Sequence, residues 1–183
     1  ALGWGGRMAD LLQSRNSNPG ISMNISLDGR NSFQKGDATI EYTISNSGNG
    51  GAGLEQFRSQ GNAGLMNLAR NSAVDSLVAD MYRNVFKKTF ANAVRTSVAA
   101  TTLFSNSLSA VQPFTTQFSN NNFSRDLYQI ARTIAAQSSL GMERQVFFVV
   151  YGGWDHHGEL LNNQEVMLER LSNGLYEFNA ALG

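Results

Sequence analysis

The chain contains two histidines, and both stand in one short run, Asp155-His156-His157. Carboxylate and imidazole are suitable ligands for a divalent ion such as zinc. In an extended or tightly turned segment side chains alternate, so Asp155 and His157 share a side and can converge on one ion or on two neighbouring ions. His156 then points elsewhere, into a second layer around the metal or into a substrate cleft. Glu159 is a further oxygen ligand or base within reach. The same cluster has a purely structural reading, in which Asp155 bonds backbone amides, the turn caps the next helix and the histidines are merely exposed. On the metal reading the ligand set is incomplete. No further histidine exists to complete it, which leaves carboxylates, water or residues outside this chain.

The elements around the cluster explain why it attracts attention. Residues 146–151, Val-Phe-Phe-Val-Val-Tyr, form an unbroken apolar run of β-type composition, too short for a typical helix. Such a run predicts a buried, central strand with parallel neighbours. Gly152 and Gly153 let the chain turn sharply as the strand ends. The Asp-His-His cluster thus falls at the strand's C-terminal end, where open α/β sheets bind ligands.

Residues 4–13 predict a short amphipathic helix with Met8, Leu11 and Leu12 on one face. Asn16 to Gly20 reads as a turn around Pro19-Gly20. Ile21, Met23, Ile25 and Leu27 alternate with polar residues, which predicts a strand with one face less buried than the other. Phe33 to Asp37 reads as a turn, and residues 39–44 as a second strand with Ile40, Tyr42 and Ile44 on one face. Residues 45–63 read as a flexible Gly/Ser/Asn-rich loop. Residues 65–110 read as a helical insert, with breaks near Asn71-Ser72 and near Ser105. Ser124 is a candidate N-cap, with Asp126 in the first turn complementing the helix dipole. Gly141 is placed to stop that helix. A last helix over 160–182 carries Leu161, Met167, Leu168, Leu171, Leu175, Phe178 and Leu182 as its core stripe. The order helix, buried strand, glycine turn, helix is an α/β unit.

Composition narrows the function classes. At 183 residues, one α/β domain or a fragment of one is the default. Formal net charge is zero, with 14 basic and 14 acidic residues, so there is no electrostatic case for nucleic acid or an anionic membrane as partner. The absence of cysteine excludes disulfides and thiolate metal sites, and suits an exported protein. No apolar run is long enough for a transmembrane helix, and no signal peptide is present. The glycine-rich stretch from Gly48 lacks the Gly-Lys-Ser/Thr ending of a phosphate-binding loop, and no Gly-x-Ser-x-Gly elbow occurs. No catalytic nucleophile can be named.

Three segments, in order, resemble the motifs of a bacterial family of unknown function that is often exported by the twin-arginine route. Gly152-Gly153-Trp154-Asp155-His156-His157 resembles its Gly-Gly-Phe-Asp-Thr-His motif. Gly3-Trp4-Gly5-Gly6-Arg7 is similar to its Gly-Trp-x-Gly-Arg segment. Asn31-Ser32-Phe33-Gln34-Lys35-Gly36 is similar to its Asn-x-Phe-Gln-x-Gly turn after a strand. That family looks like a remote branch of the alkaline phosphatase and sulfatase superfamily. The resemblance implies part of an alkaline-phosphatase-like central sheet flanked by helices, with a helix-rich middle region. It implies that Asp155 and His157 ligate a divalent metal, most simply zinc, and that the protein is periplasmic or extracellular. His156 replaces the family's Thr and takes no role from it. By the family's pattern, an Asp-bearing strand and nucleophile region would precede Ala1, and a Phe-Gly-Arg segment and an Asp-His-Gly metal motif would follow Gly183.

The expectation is therefore a fragment of a secreted phosphatase- or sulfatase-like, metal-dependent hydrolase that acts on a small ester and is inactive in isolation. The rival expectation is a non-catalytic secreted surface or assembly protein that retains the fold and engages an extracellular protein partner. A fragment should also expose an apolar surface.

Overall fold

A computed structural model of the chain describes residues 2–48, 50, 65–80 and 83–183. The predicted flexible loop over 45–63 lies largely outside them. The described part is α/β: helices α1 (Trp4–Leu12), α2 (Leu65–Ala79), α3 (Val85–Ser109), α4 (Asn122–Ala135), α5 (Gln137–Leu140) and α6 (Leu160–Leu182), with strands β1 (Asn24–Ser26), β2 (Tyr42–Thr43) and β3 (Val146–Phe148). The strands form one parallel sheet in the order β2-β1-β3. Ile25 is in register with Tyr42 on one side and with Phe147 on the other.

The two strand expectations exchange places. The alternating segment is the central one, and Asn24, Ile25 and Ser26 are all buried. The unbroken apolar run lies at the edge of this sheet, with Val146, Phe147 and Phe148 each half-buried. Hydrogen bonding supplies the physical reason. The apolar side of the first strand, with Ile21 and Ile25, packs under Phe104 and Leu108 of α3 and Leu140 of α5. Its polar side chains are buried as well, with donors that find partners: Asn24 Nδ2 donates to Gln34 O (3.0 Å) and Ser26 Oγ donates to Gly29 O (2.6 Å), while Asn24 Oδ1 has no partner among the described residues. A buried polar group that is bonded carries little penalty, so alternation in sequence did not translate into an exposed face.

The turn that covers the polar side also joins three distant segments. Gly3 N donates to Lys35 O (2.8 Å) and Gly6 N to Phe33 O (3.1 Å). A Cβ at Gly6 would lie 2.1 Å from the Lys35 carbonyl carbon, so only glycine permits this approach. Gln34 is fully buried, and its Nε2 donates to Ile25 O (3.1 Å) and Val146 O (3.0 Å), bridging β1 and β3. Phe33 lies between the rings of Trp4 (5.9 Å) and Phe148 (6.1 Å). The glycine-rich start, the Asn-x-Phe-Gln-x-Gly turn and the strand leading to the Asp-His-His cluster thus form one connected unit.

The amphipathic expectation for α1 is corrected by the same contact. The helix buries its small residues Gly5, Gly6 and Ala9, while Leu11 is exposed. In the middle region the helices run continuously through Asn71-Ser72 and through Ser105; the interruption falls at residues 80–84, part of which lies outside the described residues. The N-cap of α4 is Asn121 rather than Ser124: Asn121 Oδ1 accepts from Ser124 N (2.9 Å). Asp126 therefore sits beyond the first turn. The helix expected to run on to Gly141 ends instead at Ala135, and Gly141, left-handed at φ 65°, ends the short α5 that follows it.

The last helix takes the expected span but not the expected stripe. Met167, Leu171 and Phe178 face inward, with Leu171 and Phe178 against the Phe123, Leu127 and Ile130 cluster of α4. Leu161, Leu168, Leu175 and Leu182 remain exposed. Gly174 allows close approach, since a Cβ there would come within 3.0 Å of the Phe123 ring.

Candidate functional site

The site is built by the chain that leaves β3. Tyr151 turns inward and packs its ring 4.9 Å from Phe123 of α4. Trp154 folds back on it edge-on at 5.5 Å, and its indole Nε1 donates to Tyr151 O (2.7 Å). Two sides of the turn are thereby fixed by aromatic packing. Between them Gly153 takes φ +95°, a conformation that side chains rarely adopt. Its virtual Cβ would meet Met167 at an ordinary 3.6 Å, so the requirement for glycine here is conformational rather than spatial.

Beyond this turn the predicted alternation holds. His157 Nε2 stands 3.3 Å from Asp155 Oδ2, and both side chains are 89% exposed. His156 faces the other way, with its Nε2 buried and without a hydrogen-bond partner, and its N–H donates to Trp154 O (3.1 Å). Glu159 occupies the N-cap position of α6 in the left-handed region, φ 49° and ψ 38°, with its side chain exposed and capping nothing. It is the one non-glycine residue with positive φ among the described residues. Asn163 secures this end of the helix, donating from its N–H to Glu159 O (3.0 Å) and from Nδ2 to Gly158 O (3.1 Å).

This geometry can be tested against a metal. Tetrahedral zinc with bonds of about 2.0–2.2 Å places neighbouring donor atoms about 3.3–3.5 Å apart. The Asp155–His157 separation matches that edge of the tetrahedron. Nothing lies within 4 Å of a Cβ built at Gly152 or Gly158, so the flanks are open. The donor count is the shortfall: among the described residues no group of three His, Cys, Asp or Glu side chains converges. The pair therefore fits two positions of a four-coordinate site. The capping alternative lacks its bond, because among the described residues Asp155 makes no hydrogen bond to a backbone amide and the helix start carries no side-chain cap.

A second polar group lies beyond the C-terminal ends of β1 and β2, and sequence reasoning did not assemble it. Asn46, in the loop after β2, donates from Nδ2 to Asp126 Oδ1 of α4 (2.8 Å). Burial raises the Asp126 pKa above its ordinary value, and the charge of Asp28, in the turn after β1, adds to the rise against the lowering effects of Asn46 and Arg125. The only sequence signal was that Asp28 and Asn46 each follow a strand by a few residues.

Among the described residues no helix is long and apolar enough to cross a membrane. The chain has no match among protein-family models, curated proteins or solved structures.

Proposed function

We propose that this chain carries part of the divalent-metal centre of a phosphoric or sulfuric ester hydrolase. The observation that carries the reading is the convergence of Asp155 and His157 to 3.3 Å, on a glycine turn at the C-terminal end of a parallel strand. The linkage of the three motif-like segments through Gly3, Gly6 and Gln34 supports it further. Bound metal would supply Lewis acidity toward an ester oxygen. The chain's own groups would hold that ion with a carboxylate and an imidazole, on a turn fixed by the Tyr151–Trp154 pair. With two donors and no activated nucleophile in reach among the described residues, the isolated chain is expected to hydrolyse neither aryl phosphates nor aryl sulfates.

The test is a zinc titration followed by calorimetry on the parent chain and on Asp155→Ala and His157→Ala. Either substitution should weaken uptake at least roughly tenfold, as loss of one donor from a small set demands. Equal zinc uptake by all three proteins would refute the assignment.

A second reading is favoured by a specific observation. Leu161, Leu168, Leu175 and Leu182 recur every seven residues along one exposed line of α6, and Phe86 and Phe90 of α3 are also exposed. Exposed apolar lines of this kind mark interaction surfaces; they are what a fragment is expected to show, and they suit a non-catalytic surface or assembly protein as well.

A further inference from the structure

The start of α4 and the middle of α6 border an open cleft of about 650 Å³ whose lining is mostly polar. Two arginines line it from different helices, Arg125 on α4 and Arg170 on α6, with Glu169 as the carboxylate of the lining; the Glu177 carboxylate accepts from the N–H (3.1 Å) and the hydroxyl of the lining residue Ser119. Arg125 is held in place from both sides. It donates to Asn120 Oδ1 (3.2 Å) and also to Asn122 Oδ1. Arg170 has no ion pair or hydrogen bond among the described residues, nor do the amide nitrogens of Asn120, Asn122 and Asn173. The cleft thus offers one preorganised guanidinium, one unengaged guanidinium and three unengaged amide donors. Among the lining side chains, two guanidinium groups stand against one carboxylate.

We propose that this cleft binds a tetrahedral oxyanion, the phosphate or sulfate group of a small ester. The guanidinium fork matches such a group with paired N–H donors. The carboxamides suit oxygens around it, and the positive end of the fourteen-residue α4 adds to the attraction. The cleft is coupled to the glycine turn through both of its walls. Phe123, beside Asn122, packs on Tyr151, and Met167, beside the lining residue Val166, is the neighbour of Gly153. This deepens the hydrolase reading and rests on it for the nature of the ester. The binding itself needs no metal, which separates the two ideas experimentally.

The experiment is an amide-resolved NMR titration of the full chain, in chelator and at low ionic strength, with inorganic phosphate and, in a second arm, inorganic sulfate. Shifts should concentrate at residues 119–125 and 166–173, and the arm with the tighter midpoint identifies the anion. Arg125→Gln and Arg170→Gln should each weaken binding roughly tenfold, as expected for loss of one charge-assisted pair. Glu169→Gln should tighten it, because it removes the opposing charge of the lining. Arg144→Gln, outside the cleft, should change nothing, and amide spectra of each variant report whether it is folded. Absence of saturable shifts in these segments would overturn the proposal, as would equal affinity in parent and Arg170→Gln or weaker binding in Glu169→Gln. Unchanged zinc uptake in the Asp155 variant, together with intact phosphate shifts, would refute the metal assignment and leave this cleft standing by itself.

Discussion

Gln34 donates its side-chain amide to the backbone carbonyl of Val146, 112 residues further along the chain, at 3.0 Å. The same nitrogen reaches Ile25 O, so one fully buried side chain ties the central strand to the strand that bears the candidate site. Replacing Gln34 by Leu removes these bonds and takes from Asn31 Nδ2 its shortest one, to Gln34 Oε1 at 2.9 Å, leaving it the longer ones to Ser26 Oγ and Gly29 O. The expected cost is about 1–3 kcal/mol in chemical denaturation. Gln34→Glu should cost more, because it sets a carboxylate against two carbonyl oxygens. A Glu variant as stable as the parent would contradict this account.

Gly6→Ala tests the contact between α1 and the covering turn. The added methyl would overlap the Lys35 carbonyl carbon and the Gly36 nitrogen, neither of which can swing aside as a side chain could. Overpacking of about 1–3 kcal/mol is expected, with the neighbouring turn displaced. The same substitution at Gly29, where no atom lies within 4 Å, should cost only the strain of its positive φ, and the ranking of the two melting temperatures checks the argument.

Asp10 and Asp126 should respond to pH with opposite signs. The Asp10 carboxylate accepts from the backbone N–H of Asp37, Thr39 and Ala38 and from the Thr39 hydroxyl, and its pKa falls from 3.8 to about 2, with the Asp37 bond the largest cause. A depressed folded value means stability that is present above the unfolded value and lost as pH falls from about 3.8 through about 2. Asp10→Asn should therefore be less stable than the parent at neutral pH, and the gap should close on acidification across that window.

For Asp126 burial is the leading cause and the folded pKa is raised. Its contribution is favourable only below the ordinary carboxylate value and is lost as pH rises through the folded value. Asp126→Asn keeps an oxygen for Asn46 and removes the buried charge. Thermal melts should place this variant above the parent at pH 7 and bring the two together in acid. A lower melting point at pH 7 would show that the carboxylate is held as a needed anion.

Asp155→Ala and His157→Ala should leave the melting temperature near that of the parent in the absence of metal. Both side chains are almost fully exposed, and an exposed ion pair contributes little to stability. Added zinc should raise the melting temperature of the parent and not of the variants. An equal rise in all three would place zinc elsewhere on the chain.

Local signals were legible where one residue type had one physical use. The span of α6 and the alternation of Asp155 and His157 follow from period and side-chain direction, and Gly141 was legible as a left-handed stop though not the break at Ala136 before it. What could not be read was the partner of each polar residue. Asn24 and Ser26 marked a half-exposed strand in sequence because nothing in their own neighbourhood announces Gln34 O or Gly29 O. The cap at Asn121 competed with Ser124 in the sequence, and only the backbone extension at Asn121, φ −136° and ψ 163°, decides between them. Leu161 and Leu171 belong to one helical pattern in sequence, yet the close approach at Gly174 rotates α6 so that Leu171 is covered and Leu161 is not.

The register of the sheet also governs the order of assembly. Ile25 pairs with Tyr42 early in the chain but with Phe147 only after more than a hundred residues have intervened. Closing so long a loop delays the reward of contact, and topologies dominated by such pairings fold slowly. During synthesis from the N-terminus, the central strand and its Gln34 amide must wait for Val146 to leave the ribosome. A nascent chain stalled before that residue should be readily cut by protease within residues 21–44, and one released beyond Phe148 should resist.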